Sequence, residues 1–288
     1  MFTSCSASPG PEDFAPAYPA ETARFHDLRK DMTEPVPSTE LIEPGVLLLA
    51  SGGHSSPPTH AIEADGRHVG LEPMIAEAIA ESLGLTLKWQ AMPWKDLYPT
   101  VNAGKVDAVF YHQAVLPERR SVVDFTRPYG LFNEALLVCD DSAVRHPEDL
   151  RGKRVGALMN TTNMKLALAL DGVEVVEYLT FDKMLDDLRD GAIASLVDDE
   201  IFLDAYATRG FRTAFAVATE NQYAIAVKKG SPLRERFDGA IADLIASGRL
   251  EAIWKENIPG YTFTTPEPHP DRGVPEIAQI VRATFPPK

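Results

Sequence analysis

The sequence predicts an α/β protein of two lobes joined by two crossing strands, and three observations carry that prediction. Short apolar runs that read as strands alternate with stretches whose apolar residues recur at helical spacing, the pattern of sheets covered by helices. The 288 residues are long for one core and comfortable for two lobes of about 100 residues each plus tails. The chain also passes twice from one β/α series to another, through apolar runs at Leu131–Cys139 and Tyr223–Val227. The first lobe is therefore expected from residues 45–130 and 223–261, and the second from 131–222.

Residues 1–44 carry many Pro, Ser, Thr and acidic positions with weak periodicity and read as a tether. Order is expected from Val46–Ala50, a strand that breaks into the polar, glycine-bearing turn Ser51 to Pro58. In open α/β sheets such strand ends hold ligands. Asp65-Gly66 reads as a turn, and Leu71, Met74, Ile75, Ala78, Ile79 and Leu83 form a helical stripe closed by Gly84. Leu85, Leu87 and Trp89 alternate as a strand, Met92-Pro93-Trp94 precedes a short helix bearing Leu97 and Val101, and Val106–Tyr111 is a further strand.

In the second lobe, Lys153–Leu158 and Val173–Tyr178 read as strands around a helix from Met164 to Leu170. A helix over Asp182–Arg189, closed by Gly191, leads to the strand Ile193–Val197, which ends in Asp198-Asp199-Glu200 before a helix over Ile201–Tyr206. Like charges packed in this way repel, so they belong in solvent or beside a cation. The return to the first lobe carries an amphipathic helix with Leu233, Phe237, Ile241 and Leu244 and a shorter one with Ile253 and Trp254. Residues 262–288 are a Pro-rich tail to which no element is assigned.

The stretch Asp107–Tyr129 bears the clearest chemistry. An Arg just past a strand end meets a carboxylate with a planar fork of donors that Lys lacks. The ordered elements Gly104-Lys105-Val106-Asp107-Ala108, Pro117-Glu118-Arg119, Val123-Asp124-Phe125-Thr126 and Pro128-Tyr129 resemble the amino-acid-binding (family 3) branch of the type II periplasmic solute-binding proteins of ABC transporters. The resemblance spans about Gly45 to Tyr261. It implies the type II two-lobed fold, hinge closure on a small zwitterion, and an ABC transporter permease as membrane partner.

Residue by residue, the resemblance implies that Arg119 and the turn Thr161-Thr162 hold a ligand carboxylate, that Asp199 accepts its ammonium, and that Trp94 stacks on its apolar part. It places the turn around His54 and Ser55 as another wall. Departures fall at Ala114, where a hydroxyl is missing but a backbone amide remains, and at Tyr111-His112-Gln113, which reshape the side-chain pocket. Leu116 precedes the Glu-Arg pair in place of Thr, Ala194 replaces an Asp, and Asn160 stands for a Gly, a change that Asn's tolerance of left-handed backbone allows.

Lys plus Arg number 28 against 42 Asp plus Glu, a net charge of −14 that argues against nucleic acid and anionic membrane as partners. No apolar run nears the roughly 18 residues that span a bilayer. Neither a nucleophile elbow, a zinc helix nor a phosphate loop is present, so no cofactor and no metal are expected. The enzyme reading that survives is a cyclohexadienyl dehydratase on the same scaffold, with Glu200, Asp198 or His112 as the general acid. A monomer is expected. Cys5 and Cys139 lie in unlike contexts, and no disulfide between them is expected. The start lacks a secretory signal. A true start upstream makes Cys5 a lipidated residue of a periplasmic or cell-surface protein, whereas a genuine start at Met1 implies the cytoplasm.

Overall fold

The computed structural model describes residues 36–53, 55–203, 206, 210–268 and 274–285. Contacts divide these into two units, 36–131 with 222–268 (the first lobe) and 132–221 with 274–285 (the second).

In the first lobe, β1 (Val46–Gly52) is followed by the short hairpin β2 (Ala61–Ile62) and β3 (His68–Val69), then α1 (Leu71–Ser82) and β4 (Thr86–Met92). A 3-10 turn at Trp94–Asp96 enters α2 (Leu97–Asn102), and β5 (Ala108–Val109), α3 (Pro117–Arg120) and β6 (Val123–Phe125) complete this first passage. β1 pairs in parallel with both β4 and β5, so it is an interior strand, and it is buried along nearly its whole length, as its unbroken apolar run requires. Helix α1 buries Leu71, Ile75, Ala78 and Ile79 along one stripe and ends as the sequence indicates. Gly84 is left-handed at φ +67, and the amides of Gly84 and Leu85 return to the carbonyls of Glu81 and Ala80. The strand expected over Val106–Tyr111 is paired as β5 only over Ala108–Val109, and the chain turns just beyond it at His112, left-handed at φ +48.

The chain continues through β7 (Gly130–Cys139), β8 (Arg154–Leu158), α4 (Thr162–Ala169), β9 (Glu174–Tyr178), α5 (Phe181–Arg189), β10 (Ser195–Asp199), α6 (Glu200–Leu203) and β11 (Phe211–Tyr223). The second-lobe sheet has the order β11-β7-β10-β8-β9, with β10 antiparallel to β7 and parallel to β8. Alternate residues of β7 feed two apolar clusters: Leu136 and Val138 join Val155, Leu166 and Val217, while Ala135 and Leu137 join Met184, Leu188 and Leu196. A sheet covered on both faces needs this doubled core. The second passage back to the first lobe falls within β11, upstream of the Tyr223–Val227 run that the sequence suggests.

β12 (Ala226–Lys228) then enters the first-lobe sheet, antiparallel to β5 and β6, giving the order β4-β1-β5-β12-β6. Helices α7 (Leu233–Ala246) and α8 (Arg249–Asn257) follow. Gly130 lies against the Trp254 ring, where an added Cβ would come within 2.0 Å.

Two expectations are corrected. Within the Pro-rich tail, residues 274–284 form a helix, α9 (Val274–Thr284), whose Ile277 and Val281 enter the second-lobe core beside Leu166 and Phe215. Cys139, expected to be unpaired, is disulfide-bonded, from a buried position at the end of β7. Cys5 and the tether lie outside the described residues.

Ile277→Ala should cost about 2–4 kcal/mol of second-lobe stability, read by denaturant unfolding. A loss below about 0.5 kcal/mol would show that α9 contributes nothing to that core.

Candidate functional site

In the first lobe the chain builds a place for a guanidinium. Leu116 is extended, and Pro117, whose fixed φ suits a helix start, opens the single turn that carries Arg119. Arg119 is 9% exposed. Its Nη1 donates to the Ala114 carbonyl at 3.1 Å, and its guanidinium carbon lies 5.6 Å from the Trp94 ring centroid, within cation–π range. Ala114 is itself held by a bridge to Tyr223. Burial pushes the neighbouring Tyr98 hydroxyl's pKa up, and Arg119 offsets part of that rise. Arg119, Ala114 and Trp94, separate in sequence, therefore come together.

His112 belongs to a different arrangement. Its backbone N–H donates to Glu72 Oε1 at 2.8 Å, and its Nε2 lies 2.5 Å from Thr59 Oγ1 and 3.5 Å from Glu72 Oε2. The Tyr129 hydroxyl also donates to Glu72. His60 Nδ1 approaches the same carboxylate at 3.3 Å, and its Nε2 lies 2.8 Å from His68 Nδ1. Burial raises the Glu72 pKa, yet His112, His60 and the Tyr129 hydrogen bond outweigh it and leave it below the usual range. Burial, reinforced by His60, lowers His68 to about 4. Tyr111 is buried and meets Ser56 Oγ at 3.0 Å. The Ser55 hydroxyl is exposed and engaged with the Ile62 backbone, while His54 lies outside the described residues.

The second lobe gathers acids. Thr161 caps α4, its Oγ1 accepting from the Met164 N–H at 3.2 Å and donating to the Leu158 carbonyl at 2.6 Å. Asn160 before it is left-handed at φ +61, so the turn survives the missing glycine. Thr162 and Asn163 are buried in the first turn of α4, and Asn163 Nδ2 donates to Asp199 Oδ1 at 2.8 Å. The Asp199 N–H donates to Asp198 Oδ1 at 2.8 Å. Directly opposite Asp199 in the β7–β10 register stands Glu134, fully buried, with Asn221 Nδ2 donating to its Oε1 at 3.0 Å. Glu134 Oε2 has no hydrogen-bond partner.

Burial, and then the charge of Asp199, push the Glu134 pKa up to about 8; Thr162 and Asn221 lower it and Asp198 raises it further. Burial and Asp199 likewise raise Asp198 well above its ordinary value. Sequence reading missed Glu134 and Asn163. The available signal for Glu134 was a lone acid inside the apolar run Leu131 to Cys139, and for Asn163 a second amide beside the Thr pair. Among the described residues no group of His, Cys, Asp and Glu is placed to hold a metal ion, and no helix is long and apolar enough to cross a membrane.

Two mixed sheets in two lobes, with a buried guanidinium in one and buried acids in the other, define the class of two-lobed solute receptors. Residues 49–259 match the model of the bacterial extracellular solute-binding proteins, family 3, and the chain belongs to that family. It is 30% identical over 212 residues to the L-arginine-binding protein of Pseudomonas aeruginosa, covering 68% of this chain and 82% of the relative. It is 28% identical over 220 residues to the L-cystine-binding protein TcyJ of Escherichia coli K12, covering 73% and 82%. Its fold is that of the substrate-binding protein of an amino acid ABC transporter, with a TM-score of 0.67 and 26% identity over 74% of this chain and 98% of the other.

The raised Glu134 pKa has a sign that can be checked. The folded protein holds this proton between pH 4.5 and about 8 while the unfolded chain releases it, so stability is lost as pH rises through that window. Without ligand, Glu134→Gln should therefore gain on wild type as pH rises from 5 to 8, by an amount on the order of 4 kcal/mol, in paired thermal unfolding curves. A constant offset between the two proteins would refute the buried, acid-facing carboxyl.

Proposed function

We propose that this chain captures an amino acid or a closely related small zwitterion outside the cytoplasm and delivers it to the permease of an ABC transporter. The observation that carries the reading is the burial of opposite charges on separate lobes: Arg119 at 9% exposure in the first and Asp199 at 6% in the second. A zwitterion carries a carboxylate suited to the first and an ammonium suited to the second. Removing one member of a buried ionic contact costs roughly 3–5 kcal/mol, so each charge selects for its own end of the ligand.

In this reading Arg119 takes the carboxylate with its planar donors, oriented by the Ala114 carbonyl and the Trp94 face. Thr162, at the first turn of α4, assists. Asp199, steadied by Asn163, takes the ammonium. Trp94 offers an apolar surface to the ligand's carbon skeleton. Thr161 acts through the cap that shapes the turn, and His112 through the wall it forms with Tyr111, whose ring centroid lies 4.1 Å away. The family's extracellular character and the amino-acid ligands named for its relatives support the same function.

A thermal-shift screen of amino acids, opines, ectoine-like compounds and prephenate should identify a stabilising amino acid. Arg119→Ala should then abolish its binding in calorimetry without loss of fold, and Asp199→Asn should weaken amino acids far more than simple carboxylic acids. Unchanged affinity in the Arg119 variant, or conversion of prephenate or arogenate to an aromatic product, would overturn the transport reading.

A further inference from the structure

Arg119 leans on a loop whose backbone needs outside support. His112, two residues before Ala114, is left-handed at φ +48, a conformation that a residue with a side chain keeps only when its surroundings hold it there. Ala114 then presents the carbonyl that accepts from Arg119 Nη1 at 3.1 Å. Whatever holds His112 therefore bears on the direction in which the guanidinium points.

Glu72 supplies that hold. It lies in the first turn of α1, 1% exposed, where the unsatisfied amides of a helix start favour a negative charge, and its own N–H donates to the Thr59 carbonyl at 2.9 Å. Its Oε1 accepts from the His112 N–H at 2.8 Å and from the Tyr129 hydroxyl. Both contacts lead to Ala114. One runs along the chain through His112 and Gln113, whose carbonyl accepts from the Ala224 N–H at 3.0 Å. The other runs through Tyr129, whose N–H donates to the Tyr223 carbonyl at 2.9 Å and whose ring stacks on that of Tyr223 with centroids 5.9 Å apart. Tyr223 in turn forms the bridge to Ala114.

The second oxygen explains why the residue is an acid. Oε2 lies 3.3 Å from His60 Nδ1 and 3.5 Å from His112 Nε2. The Thr59 hydroxyl donates to the Ser56 carbonyl at 2.9 Å, so in its contact with His112 the ring Nε2 is the donor. Donors thus surround Glu72, and together they outweigh its burial and keep it ionised. A glutamine there would turn an N–H toward one of those donors.

We propose that Glu72 is a positioning residue for capture of the ligand's carboxylate: through His112 and Tyr129 it sets the Ala114 carbonyl, and with it the Arg119 guanidinium. This rests on the amino-acid reading and names the residue behind its carboxylate end. Glu72 itself touches no ligand. Its loss leaves Arg119 charged but misaligned, so a ligand forfeits the two-pronged contact at its carboxylate and keeps the one between its ammonium and Asp199.

The test compares wild type, Glu72→Gln and Tyr129→Phe, which removes only the hydroxyl that meets Glu72. Calorimetry takes arginine, cystine and any other amino acid found by thermal shift, each beside its carboxamide, which keeps the ammonium and the side chain and lacks the carboxylate. Expected for wild type is a preference of at least ~10-fold for the acid over the amide. In Glu72→Gln the preference should fall to within about threefold, with amide binding unchanged within about threefold, and in Tyr129→Phe it should fall part of the way. Without ligand, the Arg119 Nε–H signal in nitrogen NMR, assigned by its loss in Arg119→Lys, should shift or broaden in both variants. A retained preference, equal losses of acid and amide such as a merely structural role would give, or an unmoved Arg119 signal would overturn the role of Glu72 while leaving amino-acid capture intact. If Glu72→Gln fails to fold, Tyr129→Phe decides by the same readings. A wild type that binds no amino acid would remove the capture reading, and the Arg119 signal would then decide by itself whether Glu72 positions that residue.

Discussion

The cost of burying a carboxylate governs this molecule, and its two lobes meet that cost in opposite ways. Glu72 in the first lobe is surrounded by donors: the His112 amide, the Tyr129 hydroxyl and the His60 ring. The result is a lowered pKa and a fixed internal anion that organises the loop carrying His112. The pKa of Glu134 in the second lobe is raised to about 8 by burial and by Asp199 and Asp198, which Thr162 and Asn221 only partly offset. The first carboxylate is satisfied internally, as structural buried charges are. The second is held in its neutral form by burial beside Asp199, and perturbed groups of that kind cluster at functional sites.

Such a site needs a frame that tolerates local repulsion. Apolar clusters on both faces of the second-lobe sheet supply it, with Leu136 and Val138 anchoring one and Leu137 and Leu196 the other. Helix α9 adds Ile277 and Val281 to the first of these clusters. In the other lobe, Arg119 is set by a proline-started turn, a carbonyl and an indole face rather than by a long helix. Both arrangements spend stability on orientation, so that a ligand meets groups already in place.

Much of this was legible from spacing. The stripe of α1 and its Gly84 stop, the paired β/α series, the Arg119 turn and the left-handed Asn160 all follow from local rules about periodicity, caps and backbone freedom. What escaped depends on partners distant in the chain. Glu134 reads as a strand residue until β10 is laid antiparallel beside β7. Likewise His60 and His112 look scattered until Glu72 joins them. Strand β11 could have been found, since Phe211, Phe215, Val217, Thr219 and Asn221 are buried at even spacings. Helix α9 was masked by the prolines around it.

The most direct measurement is the carboxyl titration of Glu134 itself, followed by carbon NMR of isotopically labelled protein. Expected is an apparent pKa near 8. A carboxyl that titrates near 4.5, the ordinary value for a glutamate, would contradict the claim that burial beside Asp199 keeps Glu134 protonated.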